Sequence, residues 1–184
     1  AEAESLLRDG AADVIPAVRT WIAEPDWMAK IERGEEDRIR PCMSCNQACV
    51  GFTARNLPGT CVVNPVAGRE TEFGPLTPSP AKSDVVVVGG GPAGMEVARV
   101  AALRGRAVTL YEAGEQLGGW MRIAAESPHR SEMELPLLWW ESELRRLDVR
   151  VCLGHAVDDG DDFGDKEVVW AIGANQMLIA FVLF

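Results

Sequence analysis

Asp84-Val85-Val86-Val87-Val88-Gly89-Gly90-Gly91-Pro92-Ala93-Gly94 is the stretch whose reading decides the fold. Four consecutive valines suit a strand buried on both faces, because β-branched side chains pack well there and a parallel strand needs no polar face. Gly89, Gly91 and Gly94 then stand in G-x-G-x-x-G spacing. That spacing supplies a tight turn, a close backbone approach to a pyrophosphate, and tight packing of the next helix on the strand. The helix start at Pro92 and Ala93 presents a positive dipole end and, from Ala93 onward, unbonded N–H groups to an anion.

Downstream, Val97, Ala98, Ala101, Ala102 and Leu103 fall on one helical side, and Gly105 stands where a glycine would stop the turn. Val108, Leu110 and Tyr111 read as a second strand leading to Glu112, whose carboxylate can accept hydrogen bonds from ribose hydroxyls. A lone glycine pattern is weak. Strand, glycines, helix, second strand and terminal acid in this order point to adenine-dinucleotide binding. Gly118-Gly119 offers a second flexible backbone approach, toward the pyrophosphate or flavin end. Ser131 with Glu134 can form a capping box ahead of an amphipathic helix over 135–147, which buries Leu137, Leu138, Trp140, Leu144 and Leu147. Trp139 and Trp140 read as packing rather than as a cofactor stack. Val149 to Leu153 is a third strand with Cys152 as a core residue, 158–165 an acidic solvated loop, and 168–172 a further buried strand ending at Gly173. Residues 175–184 are apolar without a usable period.

Upstream, residues 1–40 read as the end of another domain: a helix over 2–9 closed by Gly10, a short strand over 12–15, and a helix opened by Pro25 that ends near Gly34. Arg19 follows that strand, where the last loops of a barrel commonly hold a phosphate, although a lone loop arginine is more often simply solvated. Residues 71–83, with Gly74, Pro75, Pro78 and Pro80, read as a linker.

Between these lie Cys42, Cys45, Cys49 and Cys61, a C-x2-C-x3-C-x11-C arrangement. Three close thiolates can take three corners of a cubane cluster while a fourth, brought back by a loop, takes the last. Structural zinc competes, but zinc ribbons usually use two separated C-x2-C pairs, so the spacing favours [4Fe-4S].

The chain of 184 residues is 47% hydrophobic, enough for a real core. Its net charge of −10 argues against nucleic acid or an anionic membrane as partner. No apolar run reaches membrane-spanning length, and clustered cysteines suit a reducing compartment, so a soluble cytoplasmic protein is expected. The absence of an initial methionine suggests a piece of something longer.

Arg40-Pro41-Cys42-Met43-Ser44-Cys45-Asn46-Gln47-Ala48-Cys49, Cys61-Val62-Val63-Asn64-Pro65 and the Gly89 to Gly94 fingerprint together resemble the iron-sulfur flavoenzymes of the 2,4-dienoyl-CoA reductase and trimethylamine dehydrogenase family. The resemblance implies an α/β fold: a Rossmann-like FAD/NAD(P)-binding parallel sheet over 84–174, preceded by a cluster segment over 41–70 and, over 1–40, the end of an old-yellow-enzyme-like (β/α)8 barrel. It implies Cys42, Cys45, Cys49 and Cys61 as cluster ligands and Arg19 as the contact to FMN phosphate. It further implies FAD or ADP at the glycine loop, with NAD(P)H and FMN serving the complete enzyme. Ala171-Ile172-Gly173 matches the family's Ala-Thr-Gly turn, with isoleucine replacing threonine.

The departures bear on function. Nearly all of the barrel and the NAD(P) domain have no counterpart, so a fragment is expected, with its small-molecule substrate handled by the missing barrel and no catalytic residue of its own. Trp120 stands where a glutamine often follows the paired glycines. The implied activity is passage of electrons between NAD(P)H, FAD, a [4Fe-4S] cluster and FMN to reduce an enoyl-type substrate, with an electron-transfer protein as a further partner. Two other readings stay open: an electron-transfer subunit resembling the small subunit of glutamate synthase, and a non-catalytic ADP- or FAD-binding module.

Overall fold

A computed structural model describes residues 2–173; the apolar tail expected over 175–184 lies outside the described residues. The chain divides into two compact units, residues 2–42 with 46–69, and residues 43–45 with 70–173.

The first unit is built of short helices: α1 (Glu2–Arg8), α2 (Val18–Ala23), α3 (Trp27–Glu32) and α4 (Val50–Thr53). Gly10 and Gly34 both take positive φ after a helix, as their positions suggested. The strand expected over 12–15 does not form: among the described residues no strand pairs with that stretch, and Val14 is 78% exposed. A strand takes its hydrogen bonds from its neighbours, so a short apolar run without one stays irregular. Pro25 does not open a helix either. It sits in the turn between α2 and α3, and Asp26 caps α3 instead.

The interior of this unit is small and polar. Ala23, Ala48, Val63 and Ala67 are its buried apolar residues, beside buried Glu24, Arg40 and Asn64. The Glu24 carboxylate accepts from the Arg40 N–H at 3.2 Å and from Lys30 Nζ, while Lys30 Nζ also donates to the Arg38 carbonyl at 2.8 Å. Asn64 Nδ2 donates to the Ile22 carbonyl at 3.0 Å, which ties the chain after Cys61 to α2.

The second unit opens with α5 (Glu70–Phe73), a short helix at the head of the expected linker. The rest of that stretch is fastened to the sheet rather than free: Ser79 N–H donates to the Arg104 carbonyl at 2.9 Å, and Arg106 Nε to the Ser83 carbonyl at 2.6 Å. Four parallel strands follow, β1 (Val85–Val88), β2 (Val108–Tyr111), β3 (Arg150–Cys152) and β4 (Glu167–Trp170), in the order β3-β2-β1-β4. Val85 pairs with Val108 on one side and Glu167 on the other, so the valine strand is central and all four of its residues are buried. The sheet is the parallel α/β one expected.

Helices α6 (Pro92–Leu103), α7 (Gly119–Ala125) and α8 (Glu134–Arg146) complete the unit. Helix α6 begins with Pro92 at its first turn and ends before Gly105, whose φ is +80°. Leu137, Trp139, Trp140 and Leu144 of α8 are buried, whereas Leu138 is half exposed. The two tryptophans pack as expected: Trp140 Nε1 donates to Glu96 Oε2 at 2.7 Å, and Arg99 lies over the Trp139 ring at 5.3 Å. The Ser131 capping box is absent, because residues 131–133 form a 3-10 turn that makes Met133 the residue before α8. β4 is an edge strand among the described residues, so Trp170 and Ile172 are exposed rather than buried, and Cys152 on the opposite edge is half-buried.

Candidate dinucleotide site

The site follows from where β1 stops. Gly89 leaves the strand with φ +106°, and a Cβ there would meet the Ala171 carbonyl oxygen at 2.4 Å. At Gly94 a Cβ would lie 1.8 Å from the Gly89 carbonyl oxygen. These two glycines let the turn and α6 close on each other. Gly91 is different: a Cβ there meets no heavy atom within 4 Å, and Gly91 caps the N-terminus of α6. Its missing side chain leaves open space in front of a helix start, the place a pyrophosphate needs.

That space belongs to a cavity of about 840 Å³, within the range usual for ligand sites. Gly89, Gly91, Pro92, Ala93, Glu112 and Gly119 line it, six of the residues expected to bind a cofactor. Gly94 and Gly118 stand behind the wall instead. Gly118, with φ +112°, donates its N–H to the Gly90 carbonyl at 2.8 Å and leaves room for Leu137, which a Cβ would approach at 3.0 Å. Glu112 is half-buried at the end of β2, and its carboxylate accepts from the Gly90 N–H at 2.6 Å and the Gly114 N–H at 2.7 Å.

Several lining or supporting residues were not among those expected to bind a cofactor. Trp120, 44% exposed, lines the cavity beside Gly119. Arg122 lines it too, and holds the neighbouring loop by donating from Nε to the Leu117 carbonyl at 2.7 Å and from Nη2 to Glu141 at 2.6 Å. Gly90 is required by contact, since a Cβ would meet Leu117 Cδ2 at 2.5 Å and Glu112 Oε2 at 2.9 Å. The run Gly89-Gly90-Gly91 held that information, but the fingerprint assigns no role to its second member. In the loop after β3, Asp161 has its carboxyl held below the usual carboxylate range by the Asp158 N–H first and by His155 next.

The other expected site residues lie elsewhere. Arg19 is exposed in the first turn of α2 and donates to Asn46 Oδ1 at 2.9 Å. Cys42, Cys49 and Cys61 belong to the first unit and Cys45 to the second, and all four are half-buried. Cys49 and Cys61 lie on backbone segments joined by the Thr60 N–H, which donates to the Ala48 carbonyl at 2.9 Å. Among the described residues, no three cysteine, histidine, aspartate or glutamate side chains gather closely enough to hold a metal ion.

Residues 87–147 match the family described as an NAD(P)-binding Rossmann-like domain. Over 179 residues the chain is 44% identical to an NADH oxidase of Thermoanaerobacter brockii, covering 97% of this chain and 26% of that protein. Over nearly its whole length the chain is thus similar to one segment of much longer oxidoreductases. It is also 42% identical over 178 residues to a bilirubin reductase of Mediterraneibacter gnavus, covering 96% of this chain and 28% of that one. Its fold matches that of histamine dehydrogenase from Rhizobium sp. 4-9 with a TM-score of 0.86 at 29% identity, over 92% of this chain and 26% of that one. The chain thus spans about a quarter of the length of the relatives it matches. Those relatives are oxidoreductases, and no helix among the described residues is long and apolar enough to cross a membrane.

Proposed function

We propose that this chain is the electron-relay segment of an NAD(P)H-dependent flavoprotein oxidoreductase, and that its glycine-loop cavity holds the ADP moiety of FAD. The observation that carries the reading is the unfilled Cβ position at Gly91, facing the cavity at the N-terminus of α6. Bound there, FAD would supply hydride acceptance from a nicotinamide and release of single electrons. The chain's own share is to bind: α6 N–H groups for the pyrophosphate, and Glu112 for the ribose hydroxyls.

The relatives' names differ in substrate, an oxidase of NADH, a reductase of bilirubin and a dehydrogenase of histamine, yet each matches nearly all of this chain over only about a quarter of its own length. That supports placing substrate choice, including reduction of an enoyl-type substrate, in parts of a longer protein that also hold FMN. The match over 97% of the chain includes residues 11–33, which a subunit resembling that of glutamate synthase would lack. The spacing of Cys42, Cys45, Cys49 and Cys61 supports a [4Fe-4S] cluster in the assembled protein. The glycine-loop cavity by itself would equally serve a second reading, a module that binds ADP or FAD without a cluster. Iron and acid-labile sulfide analysis of anaerobically purified protein separates the two, since four iron atoms per chain support the relay and none supports the module.

Calorimetry with ADP, FAD and 2′-phospho-ADP-ribose tests the cavity itself. The carboxylate of Glu112 would repel a 2′-phosphate, so ADP and FAD should bind more tightly than the phosphorylated ligand. Gly91→Val should abolish binding and leave the fold intact, because its side chain enters only open space. Unchanged ADP binding in Gly91→Val would overturn the assignment.

A further inference from the structure

We infer that Glu112 is a positioning residue for the glycine loop as well as a ribose acceptor, and that Gly90 is the piece through which it acts. The inference rests on the dinucleotide reading of the same cavity. Each oxygen of the Glu112 carboxylate already accepts one backbone N–H, Oε2 from Gly90 and Oε1 from Gly114. A carboxylate has about four lone-pair sites, so ribose hydroxyls come to Glu112 as additional donors. Gly90 is gripped from both sides, because its carbonyl accepts the Gly118 N–H at 2.8 Å. Three separate loops, 89–91, 112–114 and 116–118, are therefore joined through one carboxylate and the two backbone groups of one residue.

None of those loops belongs to a strand or to the body of a helix, so their shape depends on such links. Gly90 has no space for a side chain, since a Cβ would lie 2.9 Å from Glu112 Oε2 and 2.5 Å from Leu117 Cδ2. The close fit makes the link specific to glycine at 90 and an acid at 112. A loop fixed before the ligand arrives loses less freedom on binding, so the link contributes affinity for any ligand of the pyrophosphate site, with or without ribose hydroxyls.

The test separates the two roles by removing the hydroxyls from the ligand. ADP and 2′,3′-dideoxy-ADP are titrated into the 184-residue chain and into Glu112→Gln, which keeps the side chain's shape but turns an amide N–H₂ toward one of the two backbone donors. Expected is a loss of about tenfold or more for dideoxy-ADP in Glu112→Gln, a loss that persists although the ligand has no hydroxyl to give. A loss confined to ADP, or none with either ligand, overturns the positioning role while leaving the cavity assignment standing. No binding of ADP by the unaltered chain overturns both. Amide hydrogen exchange in the ligand-free protein supplies a second readout. Glu112→Gln should accelerate exchange at Gly90 and Gly114 and leave Val86 and Val87 protected; acceleration through the whole of β1 would mean that Glu112 holds up the sheet, which overturns the inference as well.

Discussion

Around β1 the buried side chains are those of Val85 to Val88, Met95, Ala98, Leu110, Leu137 and Leu144, whereas the unit that carries three of the clustered cysteines buries Ala23, Ala48, Val63 and Ala67 beside Glu24, Arg40 and Asn64. The first set removes much apolar surface from water, the dominant favourable term in folding. Alanines remove little. The cysteine-bearing unit must draw its definition from hydrogen bonds among buried polar groups, which contribute modestly when made and cost heavily when one partner is taken away. One unit therefore tolerates changes of polarity on its surface but not of volume in its turns; the other should be sensitive to the loss of a single carboxylate.

The comparison breaks first at Gly94. Gly94→Ala places a Cβ on the Gly89 carbonyl oxygen, so α6 must be displaced from the strand it packs against, and we expect a loss of about 4 kcal/mol or more in denaturant unfolding of the sheet unit. ADP binding should vanish with it. In the other unit, Glu24→Ala strips the buried acceptor shared by Lys30 and the Arg40 N–H and should cost about 3 kcal/mol. Hydrogen exchange read by peptide fragment should show lost protection within residues 18–42 for this variant, and unaltered protection in β1. The smallest effect is expected at Arg8, whose pairing with Glu4 is between side chains 70% and 73% exposed; Arg8→Ala should change stability by about 0.5 kcal/mol or less. A larger change there would mean that surface charge matters more to the helical unit than its buried carboxylate suggests.

The same contrast governs what could be read from the sequence. Val85 to Val88, the glycines after them and Glu112 were legible because a buried parallel strand and a pyrophosphate turn each demand a narrow set of residue types. The helix over 134–146 was legible from its apolar spacing, although the burial of Trp139 in place of Leu138 was not. In the first unit the signals failed. Val14 looked like part of a strand because of its type, but among the described residues no neighbouring strand bonds to it. Pro25 looked like a helix start because proline is favoured there, and it serves a turn instead. The pairing of Glu24 with Lys30 and the Arg40 N–H was not legible, since long-range pairing of polar side chains leaves no periodic trace. At the cavity, Gly90 and Arg122 were missed for the same reason: each acts through a partner distant in sequence.

Trp120 gives the cavity a built-in optical reporter. Its indole is partly open to water and stands beside Gly119 at the cavity wall, so its emission should lie toward the red while the site is empty of ligand. An adenine nucleotide that dries the wall should shift that emission toward the blue, and a flavin nearby should quench it by energy transfer. The two classes of ligand could thus be told apart by colour and intensity in a single titration, with Trp120→Phe identifying which of the six tryptophans gives the signal.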